Sequence, residues 1–459
     1  MNDFLPYLKT SQNERLNEII RLRQRLTVTL SLNRYSEFFG YKNNWHHIEG
    51  YKLLDDESIK RLLNLWPRRG AKTECGINFI SRIIGKNPNI RIKLISKTYQ
   101  QACSILRPVR WRLEHDPRQH SLFGNLADRE LWTDNQFIVK RDLNLKDPTL
   151  QALGVLGPIV GGRADIIILD DVCDEQNTAT ENQREKLLTW YQKELLPVLE
   201  PDGRVIVNAT RWHHNDLYKN LMDSGFKVNL VDCYQLDETA PDKIKSYWEA
   251  DFPLLKLEEI KKEIGSIFFA CQYRNNPTPL EGVLFKKEWL HEVDETPSLV
   301  SIFGGWDPAI SEKQTADYTA MVKLGKDSAG NYYLFQSWIG HVNWPDARKQ
   351  ALDFFAGCTK VGVESVQFQA AITQDPELKH LPLVPYRPVG DKVSRLTSLS
   401  AFHEAGRIKI LRGQSTDFKE EFLSFNKGAH DDLLDAEYYA FQAAGGFPSP
   451  LGVIGARHV

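Results

Sequence analysis

The stretch Ala164-Asp165-Ile166-Ile167-Ile168-Leu169-Asp170-Asp171 constrains the fold of this chain more than any other. Its four consecutive large apolar residues, three of them β-branched, leave no face for water. A run of that kind is a strand covered on both faces, which implies a parallel sheet between helices. Ligands of such sheets bind at the carboxyl ends of the strands. The two carboxylates therefore sit where chemistry is done. Asp170 is suited to hold Mg²⁺ through water, and Asp171 to polarise an attacking water. A plain strand-end turn is the competing account.

A second stretch, Leu65-Trp66-Pro67-Arg68-Arg69-Gly70-Ala71-Lys72-Thr73, fits the same sheet. The apolar run Leu62 to Trp66 enters a turn, and a helical pattern follows with Ile77, Ile80, Ile83 and Ile84 on one side. Strand, turn, Lys-Thr and helix is how a nucleotide triphosphate such as ATP is held. Backbone N–H groups of Arg68, Arg69, Gly70 and Ala71 wrap the phosphates. Lys72 neutralises charge, Thr73 ligates Mg²⁺, and the helix N-terminus faces the anion. The spelling is irregular, because G-x-x-x-x-G-K-[ST] would need glycines at Trp66 and Ala71. A surface turn with stray basic residues competes with this reading. A third buried strand, from Arg204 to Ala209, ends in polar residues and repeats the β–α–β rhythm. Asn208, Thr210 and Arg211 can sense the γ-phosphate there and couple its loss to the rest of the molecule, or form an ordinary polar loop.

The remaining elements follow from periodicity. Leu16, Ile19, Ile20 and Leu26 mark an amphipathic helix in an N-terminal arm, residues 1–44. Trp45-His46-His47 either stacks on adenine or packs inside. Strands are expected at Ile90 to Ile95, Trp132 to Val139 and Leu150 to Leu156. Helices are expected with the stripe Ile105, Leu106, Val109 and Leu113, where Pro108 kinks or starts the helix, and at Glu181 to Leu196 and Lys256 to Ile264. Pro277, Pro279 and Gly282 break periodicity before a second domain. The chain has 459 residues, too many for one core. The expected division is an ATPase domain over 45–290 with a lid at about 225–280, a second domain over 298–445, and a tail at 446–459.

The second domain carries acids at three separate places. Asp307 ends the strand Ile302 to Trp306, and Pro308 stops the ladder beside it. A hairpin follows, Tyr318 to Leu324 and Tyr332 to Trp338, then a helix from Trp344 to Phe355. Val361-Gly362-Val363-Glu364 is a strand delivering another carboxylate. Near the end His430-Asp431-Asp432-Leu433-Leu434-Asp435 opens a helix, with Asp431 and Asp435 on one face. Pairs of divalent ions need several carboxylates converging in one cleft. The order strand–Asp307, hairpin, helix, strand–Glu364, helix with Asp431 and Asp432 fits that need.

Together these residues resemble the large terminase subunit of tailed bacteriophages, over about residues 45 to 445. The resemblance rests on Pro67 to Thr73, Gly161-Gly162-Arg163-Ala164-Asp165 with Asp170-Asp171, and Ala209-Thr210-Arg211-Trp212-His213. It also rests on Gln272-Tyr273-Arg274-Asn275-Asn276-Pro277, Asp307, Glu364 and His430-Asp431-Asp432. It implies an α/β chain with an N-terminal P-loop ATPase of ASCE type and a C-terminal RNase H-like nuclease. ATP would drive double-stranded DNA into a procapsid, and Mg²⁺ or Mn²⁺ held by Asp307, Glu364 and Asp431 or Asp432 would serve cutting of concatemers. The implied partners are double-stranded DNA, a small terminase subunit, the portal protein and further copies of the chain in a ring. The implied location is the host cytoplasm, outside the mature virion. Arg163 is the candidate arginine acting on a neighbour's γ-phosphate, with Arg68 or Arg69 as alternatives in cis. Family members often place glutamate after the first Walker B aspartate. Here Asp171 stands there and Glu175 is the alternative base. Lys392, Arg395 and Arg407 are candidates for lining a DNA groove.

Other classes fit less well. A net charge of −2 excludes a general polycation. No uncharged apolar run approaches the roughly 20 residues of a membrane span, so no membrane role is expected. The six cysteines lie far apart without a C-x-x-C pair, which points away from structural zinc and disulfides. A helicase or repair ATPase fused to a nuclease is the nearest rival. A capsid scaffold with decayed sites is a second, and intact Lys72, Asp170, Asp307 and Glu364 argue against it.

Overall fold

The structure, a computed structural model, describes residues 30–159, 162–240, 243–277, 284–308, 318–364, 376–387, 392–414, 416–425 and 431–447. The chain forms two compact units. The first runs to Leu257 and includes Ala270–Pro277; the second includes Glu258–Phe269 and the chain from Thr278 onward. Residues 225–280 thus contribute to both units.

The first unit is built on eight strands. In chain order they are β1 Arg61–Leu65, β2 Ile92–Ser96, β3 Ala127–Trp132, β4 Gln136–Val139, β5 Leu150–Gly154, β6 Ala164–Asp170, β7 Leu199–Ala209 and β8 Lys227–Leu230. They hydrogen-bond in the order β3-β4-β5-β2-β6-β7-β1-β8. The six from β5 to β8 are parallel, and β3 and β4 are antiparallel. Ile167 and Leu169 of β6 are buried in one core with Leu63, Val205 and Val207, as an uninterrupted apolar run requires. The strand β7 separates β1 from β6, the ASCE-type arrangement. Its register sets Asn208 opposite Asp170 on one side and Asn64 on the other, so the three strand ends are level. A short ribbon pairs β9, Tyr234–Leu236, with β10, Ile244–Ser246.

Several expectations are corrected in this unit. Trp132 to Val139 is not one strand. Thr133 donates its hydroxyl to Asn135 Oδ1 and Gln136 O at 2.8 and 2.7 Å, and this polar turn folds β3 onto β4. Pro108 lies inside the helix Tyr99–His115, which is started instead by Thr98 accepting from the Gln101 N–H. The helix from Glu181 ends at Trp190 and continues as a wider π turn over Tyr191–Leu195. Residues 31–44 of the arm pack on the body of the first unit. In the helix Leu32–Phe38, buried Tyr35 donates to Gln119 Oε1 at 2.7 Å, and Arg112 lies 4.4 Å from the centre of the Phe39 ring. Leu16, Ile19, Ile20 and Leu26 fall outside the described residues.

The second unit has a seven-stranded sheet. Its strands are β11 Glu292–Val293, β12 Ser301–Asp307, β13 Thr319–Lys326, β14 Tyr332–Gly340, β15 Lys360–Glu364, β16 Leu383–Tyr386 and β17 Ile408–Leu411. Their order is β11-β17-β14-β13-β12-β15-β16. Strands β12, β13 and β14 run antiparallel, while β15 and then β16 run parallel to β12. This is the RNase H-like arrangement. The turn between β13 and β14 is held by Asp327, which accepts from the Asn331 backbone at 2.8 Å.

The helix Asp432–Ala443 lies against β12 and β15 through two register-paired glycines, Gly305 and Gly362. A Cβ on Gly305 would stand 1.8 Å from Ala436 O, and one on Gly362 would stand 2.2 Å from Tyr439 O. Only a bare backbone admits the helix at that depth. Gly305→Ala is therefore expected to cost about 3 kcal/mol, the upper range for overpacking. Chemical denaturation of the full chain would measure it, and unchanged stability would show that the helix has room to move away.

Among the described residues no helix is long and apolar enough to cross a membrane. All six cysteines are buried and unpaired.

Candidate functional sites

The loop from Trp66 to Ala71 joins β1 to the helix Lys72–Lys86. Arg69 and Ala71 adopt positive φ values of 63° and 60°. L residues hold that conformation only where the surroundings impose it, often at functional sites. Gly70 completes the turn by donating its N–H to Pro67 O at 2.9 Å. The buried ammonium of Lys72 donates to Trp66 O and Pro67 O at 3.2 and 3.3 Å, so it is curled into its own loop. The first-turn N–H groups of the helix have no partners within it and face the same loop.

Asp170 lies directly behind. It accepts from the Thr73 hydroxyl at 3.0 Å. Burial, and then the neighbouring Asp171, push its carboxyl up to about 7, against the pull of Thr73, Lys72 and Asn208. A dry, crowded carboxyl of that kind gains from a cation beside it. Asp171 has a φ of 45° and accepts from the Thr210 N–H at 3.0 Å. Asn208 accepts from Asn64 Nδ2 at 3.0 Å. Glu175 opens the short helix Glu175–Thr178, capped by Asp174. Thus Lys72, Thr73, Asp170, Asp171, Asn208 and Thr210 come together at one edge of the sheet.

Arg211, His46, His47 and Arg68 have partners of their own. Arg211 takes the polar-loop alternative. It is buried against Asp216 at 2.9 Å and donates to His213 O and His214 O at 3.1 and 2.9 Å, closing its own turn. His46 and His47 take the second alternative and pack inside. Both are buried, with each Nε2 3.3 Å from Gly70 O. Burial lowers them to about 3 and about 4, so both rings are neutral and support the loop from beneath. Arg68, an alternative for acting in cis, is tied to Gln272. Its N–H donates to Gln272 O at 2.8 Å and its guanidinium to Gln272 Oε1 at 2.7 Å.

Arg163 precedes β6, seven residues from Asp170. At about 3.3 Å per residue the separation is about 23 Å, beyond the reach of a side chain. Its guanidinium, largely exposed, is 3.5 Å from Glu200 Oε1. It cannot serve the site of its own chain.

In the second unit Asp307 ends β12 and Glu364 ends β15, adjacent parallel strands. Asp431 is the N-cap residue of the helix Asp432–Ala443, and Asp432 and Asp435 lie in its first turn. Burial, then Asp435 and Asp432, push the Asp307 carboxyl well above its usual range; Lys392 opposes them and Glu364 adds to them. Strand, strand and helix thus bring five carboxyl groups into one neighbourhood. Tyr439 donates its hydroxyl to Glu364 Oε2 at 2.8 Å. Glu421 accepts from the Leu433 N–H at 2.8 Å and so caps the helix, at the cost of a burial that pushes it up to about 8.

Lys392 and Arg395, expected along a DNA groove, are turned onto the acids. Lys392 hydrogen-bonds Asp431 and lies 2.6 Å from Asp435 Oδ2, while buried Arg395 lies 3.3 Å from Asp435 Oδ1. Arg407 lies 5.5 Å from the centre of the Phe402 ring. Among the described residues no three His, Cys, Asp or Glu stand in chelating geometry. The donor set still suits divalent cations, because hard carboxylate oxygens in excess over the basic groups are what such ions bind. His430 lies outside the described residues. Sequence reasoning puts Asp435 on one face with Asp431 but does not single out Tyr439 and Glu421, although the spacing of four from Asp435 places Tyr439 on that same face.

No family model matches the chain. The chain is 31% identical over 156 residues to the large terminase subunit of Enterobacteria phage T3, covering 28% of this chain and 26% of that relative. The match thus spans about a quarter of the relative's length. The structure is similar to the large terminase of a thermophilic bacteriophage, with a TM-score of 0.56 and 11% identity over 88% of this chain and 100% of the other. It is also similar to that phage's large terminase in complex with ATP-gamma-S, with a TM-score of 0.54 and 12% identity over 87% and 98% of the two chains. The resemblance to large terminases therefore extends through both units of the fold.

Proposed function

We propose that the chain is the large terminase subunit of a tailed bacteriophage, an ATP-driven motor for double-stranded DNA with its own metal-dependent endonuclease. The observation that carries this reading is the pairing of two acid-lined sites in one chain. One lies behind the Lys72 loop of a parallel sheet, and the other lies on an RNase H-like sheet.

In the first site Lys72 would leave the Trp66 and Pro67 carbonyls for the phosphates of ATP. Thr73 and Asp170 would hold Mg²⁺, and Asp171, oriented by Thr210, would align the attacking water, with Glu175 as the alternative base. Asn208 bridges Asn64 and Asp170, so it is placed to register changes at the γ-phosphate. Arg163 would act on the site of a neighbouring copy in a ring. In the second site Asp307, Glu364, Asp431, Asp432 and Asp435 would hold Mg²⁺ or Mn²⁺. Such a pair of ions activates water and stabilises the leaving oxygen of a phosphodiester. Contacts to DNA would be to phosphates, since packaging ignores sequence. A small terminase subunit, a portal protein and the host cytoplasm complete the reading.

Two outcomes test it. Purified full-length chain is expected to cut plasmid DNA with Mg²⁺ or Mn²⁺ and to stop on addition of EDTA; cutting that survives EDTA would contradict the second site. Arg163→Ala is expected to bind ATP normally but hydrolyse it about a thousandfold more slowly, at the lower end for an arginine finger. Mixing it with Lys72→Ala chains should restore part of the turnover. Failure to do so in assemblies shown to contain both chains would remove Arg163 from that role.

A further inference from the structure

We propose that Lys392 is a resident cation of the carboxylate site, standing between Asp431 and Asp435 where a divalent ion would bind, and that it must withdraw before those acids accept one. This rests on the reading that the acids of the second unit bind metal.

The placement supports an ammonium acting in place of an ion. Lys392 is the first residue of the helix Lys392–Glu404. Its ammonium reaches two acids of a different helix, bonding Asp431 and lying 2.6 Å from Asp435 Oδ2. Both acids are then satisfied without metal.

The two basic residues of the site are not equivalent. Arg395 is buried, lies 5.8 Å from the centre of the Tyr438 ring and is fixed beside Asp435. Lys392 keeps about a third of its side chain exposed and carries its charge on a flexible four-carbon stem. It is therefore the group that can swing outward. Asp307 and Glu364, on the rigid ends of β12 and β15, would be first to receive an ion. The helix acids would follow only when Lys392 leaves, and its ammonium would then be free to meet a DNA phosphate. Metal loading and DNA contact would thus be coupled through one side chain.

The test is calorimetric titration of Mn²⁺ into nucleotide-free full-length chain, alongside thermal unfolding in EDTA. Asp307→Asn identifies the binding that belongs to this site. Lys392→Met is expected to bind Mn²⁺ at least roughly tenfold more tightly, or to take up an additional ion, because a unit charge a few ångströms away has been removed. Its unfolding midpoint in EDTA should fall below that of the wild type and recover with Mn²⁺. Lys392→Arg should keep wild-type affinity. Lys392→Gln, which retains a donor without charge, gives the same comparison if methionine is not tolerated. Equal Mn²⁺ affinity and stoichiometry in the wild type and the uncharged variants would overturn the proposal while leaving the metal site standing. No Asp307-dependent Mn²⁺ binding in any chain would overturn the metal reading itself and this proposal with it.

Discussion

Asp307→Asn in the full-length chain is expected to lower plasmid cleavage by about a thousandfold or more, because an amide could not supply the negative charge that would hold two divalent ions together. The substitution nearly preserves shape. It also removes a buried carboxyl crowded by Asp435, Asp432 and Glu364, so the folded state should not suffer. DNA-stimulated ATP turnover should remain near the wild-type level, since Lys72, Thr73 and Asp170 belong to the other compact unit. Glu364→Gln should behave in the same way, with the added loss of strength in the bond from Tyr439. Asp431→Asn and Asp432→Asn, assayed separately, divide the role that adjacent acids leave open. Full cleavage by Asp307→Asn would reduce the acid cluster to a structural feature.

Lys72→Ala is expected to reduce ATP turnover by about a thousandfold, the loss typical when a preorganised electrostatic group is removed. The two loop carbonyls it leaves behind each lose a hydrogen bond worth about 1 kcal/mol. The chain should therefore remain folded. Asp170→Asn is expected to abolish turnover by a different route, through loss of the charge that would hold Mg²⁺, while its amide oxygen still accepts from Thr73. Its effect on stability has a definite sign. The folded chain holds the Asp170 carboxyl at about 7, above the usual carboxylate value of about 4, so it binds a proton that the unfolded chain releases. Stability of the nucleotide-free chain should therefore fall as pH rises through that window, and Asp170→Asn should remove this part of the fall. Denaturation at several pH values would measure it.

The parts of the fold legible in sequence are those governed by local pattern. The run Ile166–Leu169 can only be a doubly covered strand, and its two acids follow the strand end by covalent connection. The hairpin of β13 and β14 is written in its alternation and its Asp327–Asn331 turn. The level ends of β12 and β15 are not written there, but both carry an acid as the last strand residue. Features made by long-range approach are hidden. The glycines Gly305 and Gly362 look like weak strand residues, and only the helix resting on them explains their lack of a side chain. His46 and His47 are held neutral by a pocket that includes Trp66, Tyr247 and Trp248, from separate parts of the chain. Lys392 looks like a surface charge because its acidic partners lie some forty residues further on. Arg211 looks like a sensor because its neighbours are polar, yet Asp216, only five residues away, takes it. Polar residues at strand ends thus announce a site without saying which of them face it.

On the proposed reading a DNA-translocating ATPase operates through the Lys72–Asp170 site. The most direct measurement is steady-state ATP turnover by purified full-length chain, with and without linear double-stranded DNA, beside Lys72→Ala prepared in the same way. The expected result is turnover in the wild type that rises on addition of duplex and is lost in Lys72→Ala under both conditions. Turnover indifferent to DNA, or wild-type turnover in Lys72→Ala, would contradict it.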